Sequence, residues 1–399
     1  NYHDEVVLGA KVVKKLYEAL EEIFRISDAT TYKELKAVLD SIKDNYSNYI
    51  TKDIVSPVLE AVELVLDSKV LAALLRPVME KYLTQEVLGD YYEIASLNEE
   101  YQAQDLLSDL RSIIGAVNEL VEFGAVELAQ AYLTETDQEI DLSDGNIEHL
   151  TNAISKLFDL EILKVKKETI FDLVSKIASE KLEIEITDFD LNPVGGFAND
   201  GVHLGNAIVI LLEAIVNSKL EIKTLNDIVK LDFASIDFKS LITQELVDSV
   251  VEAVKELTKM NILREALPTV VNYAKAKLIP EEYLGVVEAL TLEKANLATD
   301  VDTIVEIIEI LASSGVVSYF ETEDVNIEEV YNNIVGKGLA KKIESLGMLK
   351  DNAEKIIEAV LALEVIGIEL TDEERASLAE ANYHDEVVLG AKVVKKLYE

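Results

Sequence analysis

The chain is 399 residues long, 49% hydrophobic, with only 16 Gly and 5 Pro, so it can build sizeable cores and is neither collagen-like nor disordered. Its 37 basic residues face 76 acidic ones, and the net charge of −39 repels nucleic-acid phosphates and anionic membrane surfaces while favouring solvation and cations such as Ca²⁺. With no Cys, disulfides, thiolate nucleophiles and Cys-ligated zinc are excluded.

The first element, Asn1 to Glu18, reads NYHDEVVLGAKVVKKLYE, with the apolar spacing of a helix. The same 18 residues return as Asn382 to Glu399, displaced by 381 positions. Chance does not produce such a copy. It reads as one unit of 381 residues followed by the start of the next; the competing reading is an engineered terminal duplication. The chain starts at Asn1 in mid-pattern, with no initiator Met or signal peptide, as a section of something longer would.

Within the unit a finer repeat alternates two anchors. The first reads VVKKL at Val12–Leu16, AVNEL at Ala116–Leu120, IVILL at Ile208–Leu212 and IVEII at Ile304–Ile308. The second reads VLEAVELV from Val58, LTNAISKL from Leu150, VVEAVKEL from Val250 and IIEAVLAL from Ile356. Val13, Val117, Val209 and Val305 lie 104, 92 and 96 residues apart, and Ala61, Ala153, Ala253 and Ala359 lie 92, 100 and 106 apart. Pro77 and Pro268 follow their Ala anchors by 16 and 15 residues, in support of the register. These spacings predict an all-α, mainly helical fold: a tandem array of four divergent helical-bundle modules of about 95 residues, with minor extended or strand segments. The predicted modules are 1–103, 104–199, 200–298 and 299–381, with 382–399 opening the next unit.

Along the chain, Thr31 with Glu34, Ser96 with Glu99, and Thr371 with Glu374 have the spacing of capping boxes at helix starts. Asp137, Glu139, Asp141 and Asp144 place oxygens along one loop, with Glu148 where an EF-hand has its bidentate ligand. These five are the candidate Ca²⁺ ligands, although Leu142 stands where that loop needs Gly; a solvated acidic loop is the competing reading. A shorter acidic loop runs through Asp188, Asp190 and Asn192. Leu182 to Leu191 alternates as an edge strand or extended linker, and Ile222 to Phe238 suits either state. Asn192 to Gly201, with Pro193 and the Gly195–Gly196 pair, predicts a module boundary. The most apolar run, Ala207 to Val216, is far short of the roughly 20 residues of a membrane span. From Val301, the residues Ile304, Val305, Ile307, Ile308 and Leu311 form a helical stripe. Gly336-Lys337-Gly338 reads as a helix–helix turn.

No HExxH, GxSxG, SxxK or Walker-type motif occurs, and the histidines His3, His149, His203 and His384 suit surface or satisfied positions. No catalytic or cofactor-binding residues are expected beyond the Ca²⁺ candidates. The expected role is non-catalytic: a structural repeat unit of a long extracellular or cell-surface filament or stalk. The alternative is a binding or adhesin array that engages a protein or ligand through grooves between helices. The expected partners are identical neighbouring units or subunits, end to end, without nucleic acid or membrane insertion. Val6, Val7, Leu8, Val12, Val13 and Leu16 are expected to pack beneath the last helix of the preceding module.

Overall fold

The computed structural model describes residues 2–182, 186, 196–218, 222–230, 241–277, 294–318 and 326–350. The repeated segment 382–399, the anchor Ile356–Leu363, the cap pair Thr371–Glu374 and the second acidic loop lie outside the described residues, as does most of the expected strand 182–191. The chain forms two lobes, Asn1–Lys176 with Leu191–Ile236, and Ile177–Asp190 with Asp237–Glu399. Both are helical. Among the described residues no strand forms, and the extended backbone that does pair is a single antiparallel bridge between Glu139 and Thr224.

The first lobe contains α1 (Tyr2–Ser27), α2 (Tyr32–Ser41), α3 (Lys52–Leu66), α4 (Lys69–Tyr82), α5 (Gln85–Leu88), α6 (Tyr92–Ala95) and α7 (Ala103–Phe123). It continues with α8 (Ala125–Thr134), α9 (Asp144–Phe158), α10 (Glu161–Val165), α11 (Lys167–Ile177), α12 (Gly196–Val216) and α13 (Leu225–Val229). Local chemistry sets several ends. The Thr31 hydroxyl accepts from the Glu34 amide at 3.3 Å, and the Glu34 carboxylate accepts from the Thr31 amide at 2.9 Å, closing the expected capping box of α2. Gly124, at φ +95°, ends α7 in the left-handed conformation and turns the chain into α8.

Ser96 and Glu99 do not start a helix. Ser96 ends α6, the Asn98 side chain folds back onto the amides of Glu100 and Tyr101, and α7 begins at Ala103. The spacing was right for a box, but Asn98 competes for the same backbone. The expected break at Asn192–Gly201 also differs in its second half, because Gly196–Gly201 are the first turns of α12.

The anchor helices stack in chain order. α1 packs on α3, α3 on α7, α7 on α9 and α9 on α12, so first- and second-anchor helices alternate in space as they do in sequence. The anchor alanines sit at the seams: Ala61, Ala116, Ala153 and Ala207 are each no more than 2% exposed. A methyl side chain lets two helix axes approach closely while the flanking Ile, Leu and Val fill the grooves. The approach is tightest between α9 and α12. A Cβ on Gly201 would lie 2.7 Å from Phe158 Cβ, and one on Gly205 would lie 2.9 Å from Thr151 Cα. Those glycines serve close packing, which explains why a glycine-rich segment is helical here. Around the stack, Ala19, Ile23, Leu35 and Ile54 form one core, and Leu66, Leu107 and Ile114 form another.

The second lobe contains α14 (Gln244–Lys259), α15 (Asn261–Lys277), α16 (Lys294–Leu311), α17 (Ile327–Gly336), α18 (Leu339–Ser345) and α19 (Gly347–Lys350). α16, which carries a first anchor, packs against α14, α15, α18 and α19. Its Val301 and Val305 are buried, as is Ala253 of the α14 anchor at 1% exposure. Pro77 and Pro268 both fall inside the helix that follows a second-anchor helix, α4 and α15 respectively. Gly338, at φ +77°, makes the turn between α17 and α18.

Candidate functional site

The most regular chemical feature is a set of carboxylates near the N-terminal ends of first-anchor helices. Asp109 on α7 is 3% exposed. It accepts from the amides of Glu161 at 2.5 Å and Ile162 at 2.9 Å, the first residues of α10, and from the Tyr101 hydroxyl at 2.7 Å. Asp300 on α16, 2% exposed, accepts from the amides of Gly347 and Met348, both at 2.7 Å, at the start of α19. Glu5 on α1 accepts from the Ser68 hydroxyl and the Lys69 amide, both at 2.9 Å, at the start of α4. In each case a carboxylate satisfies first-turn amides of a later helix and meets the positive end of its dipole. The capped segments share a pattern: Lys69-Val70-Leu71, Glu161-Ile162-Leu163 and Gly347-Met348-Leu349. Asp200, fully buried near the start of α12, lies nine residues before Val209, against the eight that separate Glu5 from Val13 and Asp109 from Val117. Burial pushes the Tyr101 hydroxyl well above the ordinary tyrosine range, and the Asp109 carboxylate adds to the shift, so this group stays a protonated donor.

These carboxylates are absent from the sequence-level candidates. No local signal marks them, since Glu5 follows Asp4, Asp109 lies between Asp105 and Arg111, and Asp302 follows Asp300. Their offset from the Val anchor also varies: Asp109 precedes Val117 by eight residues and Asp300 precedes Val305 by five.

A second cluster joins α7 to α9. The Glu119 carboxylate lies 2.6 Å from His149 Nδ1 and 2.9 Å from Lys156 Nζ. Burial raises the Glu119 pKa, but the bonds from His149 and Lys156 outweigh it and hold the group below its ordinary value. Gly115 makes room for this contact, since a Cβ there would meet the Lys156 stem at 3.3 Å.

The candidate Ca²⁺ loop joins α8 to α9. Asp137, Glu139, Asp141 and Glu148 are exposed, and Asp144 opens α9. Glu139 forms the bridge with Thr224, and the Asp141 carboxylate accepts from the Ser143 amide at 3.0 Å. Among the described residues, no three His, Asp or Glu side chains gather as a metal ion requires.

On α1 the expected packing residues divide. Leu8 and Val12 are half-buried toward the lobe, whereas Val6 and Val13 are each 66% exposed and Val7 and Leu16 also face solvent. A shallow cleft beside them, between α1 and α3, is lined chiefly by Lys11, Lys14, Lys15, Glu60, Glu63 and Asp67. Lys15 is already paired with Glu60 at 2.7 Å and Glu18 at 2.9 Å. α12 is long and apolar enough, by length and composition, to cross a membrane, yet it carries the buried Asp200 and lies closely on α9. No protein-family model matches the chain, and neither a curated protein nor a solved structure does.

Proposed function

We propose that the chain is a non-catalytic structural repeat unit of a longer tandem protein, a filament or stalk outside the cell, whose partners are identical units end to end. The observation that carries this reading is the 18-residue identity between Asn1–Glu18 and Asn382–Glu399. It is supported by the alternating stack of anchor helices, in which each helix rests on its neighbours in sequence, as in architectures that grow by adding modules. The net charge of −39 keeps such an array soluble at high local concentration. Four modules of about 95 residues per unit, each with a first- and a second-anchor helix, belong to the same reading.

The test is the mass of the native polypeptide, with peptide mapping across Glu380–Asp385. A mass several times that of one unit, with peptides spanning the join in excess, supports the array. A mass near 44.2 kDa with ends at Asn1 and Glu399 overturns it.

A binding array is the second reading, favoured by one surface. Val70, Leu74, Val78 and Tyr82 form an exposed i, i+4 stripe along α4, between 47% and 61% exposed, while Leu71 and Leu75 on its other side pack into the core. Leu74→Lys should abolish capture of a partner helix by this face without loss of fold. Calcium at Asp137–Glu148 would draw together the exposed carboxylates of Asp137, Glu139, Asp141 and Glu148. A saturable heat on calorimetric titration with Ca²⁺, lost in Asp141→Asn, would establish it.

A further inference from the structure

α1 and α12 share six residues in one register, and Val6, Gly9, Val13 and Leu16 among them lie along one face of the helix. Asp4, Val6, Leu8, Gly9, Val13 and Leu16 of α1 match Asp200, Val202, Leu204, Gly205, Val209 and Leu212 of α12 without a gap. The two copies of this face have different surroundings. On α12 its middle lies beneath the second-anchor helix α9, while Val202 at its start is 38% exposed: Val209 is 5% exposed, and Gly205 is so close that an added Cβ would reach Thr151 Cα at 2.9 Å. On α1 the face is bare: Val13 is 66% exposed, and a Cβ on Gly9 would meet nothing within 4 Å. Val6, Gly9, Val13 and Tyr17 form one stripe along the helix, and Leu16 lies at its edge toward the side that Ala19 and Ile23 bury.

The carboxylate caps identify which helix belongs on that stripe. Glu5 caps α4, which directly follows the second-anchor helix α3, and Asp109 caps α10, which directly follows α9. Asp300 caps α19, which directly follows α18. By this order the helix in the second-anchor place of the last module is the α17–α18 pair, which also packs on α16 through α18. The segment Ile356–Leu363, matched to the anchor by its sequence, comes after the capped residues instead of before them.

Building on the tandem reading, we infer that the bare stripe of α1 is the docking surface for the α17–α18 pair of the preceding copy of this unit, seated with Gly9 at the closest approach as Gly205 is beneath α9. The join between units then reproduces the seam between modules, and the array needs no adaptor. The helix that carries the stripe is the part of the sequence repeated at Asn382–Glu399, where it follows α17–α18 within the same chain.

The chain contains its own control, because Gly9 and Gly390 occupy the same position in identical sequence and differ in whether α17–α18 precedes them. Gly9→Ala and Gly390→Ala are made separately in the full chain and compared by thermal melting and by hydrogen exchange across Ile327–Ser345. Gly9→Ala is expected to leave the melting temperature unchanged or higher, since alanine improves an open helix. Gly390→Ala is expected to lower it by about 2–4 °C and to speed exchange in α17–α18. Equal effects of the two variants overturn the docking. Faster exchange in Ile356–Leu363 with α17–α18 unchanged overturns the choice of partner. Neither result affects the mass of the native polypeptide, so the tandem reading stands or falls separately.

Discussion

Replacing Asp109 by Asn tests whether the carboxylate caps hold each module together. The substitution conserves shape but leaves one oxygen where two accepted three hydrogen bonds at 2.5, 2.7 and 2.9 Å. In the least costly arrangement the new NH₂ group faces the Glu161 amide, and Oδ1 keeps Ile162 and Tyr101. One buried amide is then orphaned, at a cost of about 1–3 kcal/mol, and the two remaining bonds lose their charge assistance. Relief of the carboxylate's own desolvation opposes this, but three short bonds already offset most of that penalty in the native state. The net expectation is about 3 kcal/mol, or roughly a hundredfold faster opening of α10. Two lobes and stacked helices do not promise a two-state transition, so a local probe is the appropriate one. Native-state hydrogen exchange at Glu161 to Lys166 should accelerate by roughly two orders of magnitude, with α1 and α2 unaffected. Tyr101→Phe, which removes one donor and orphans no amide, should cost only about 1 kcal/mol. Exchange within about threefold of the parent in Asp109→Asn would refute the reasoning: the amides would then be held by packing, and the carboxylate would be incidental.

Gly205→Ala should destabilise the α9–α12 seam. The Cβ 2.9 Å from Thr151 Cα forces a shift costing about 1–3 kcal/mol, against a helix-propensity gain of at most about 1, and urea denaturation should register the loss. Thr31→Ala removes the hydroxyl that caps α2 and should cost about 1 kcal/mol, read as faster exchange at Glu34 and Leu35. Glu119 has its folded pKa depressed, so its contribution is present above the ordinary value of 4.5 and is lost as pH falls through the folded value. Glu119→Gln should therefore be less stable than the parent near neutral pH and converge on it as pH falls below the ordinary carboxylate value, in denaturant midpoints measured from neutral to acid pH.

Periodicity carried most of the fold that was legible in sequence. The apolar spacing of the anchors required helices, and the alternation of two anchor types matched the order of packing, since neighbours in a stack are neighbours in the chain. Ala61, Ala153 and Ala253 could be found because a close crossing tolerates little besides Ala at the same helical position. The glycines misled. Gly201 and Gly205 sit in a stretch with the composition of a linker, but what they serve is a surface 43 to 54 positions away in sequence, on α9, which no local rule detects. Ser96 and Glu99 had cap spacing, yet Asn98 took the backbone first. The caps by Asp109 and Asp300 span 52 and 47 residues, beyond the reach of any short motif. The acidic loop at Asp137–Glu148 carries a weaker signal, because in a chain with 76 acidic residues alternating oxygens recur by composition alone.

The two scales of repetition have different physical standing. α1 and α12 present the same face to a second-anchor helix in this account, yet between Asp4 and Leu16 they share only six of thirteen positions. Among those six are the residues a seam constrains: a small one at closest approach, with apolar ones flanking it on the same face. The other positions have drifted to Lys, Ile, Asn or Ala without loss of the packing mode, as nearest-neighbour stacking permits. Identity at all 18 positions between Asn1–Glu18 and Asn382–Glu399 therefore exceeds anything packing demands. Packing explains why a divergent module still fits its neighbour; it does not explain an exact copy. On the proposed tandem reading, the copy is a duplication of a whole unit after its modules had diverged. The proposed seam between units would then need no new interface, because the duplicated end inherits one already used between modules.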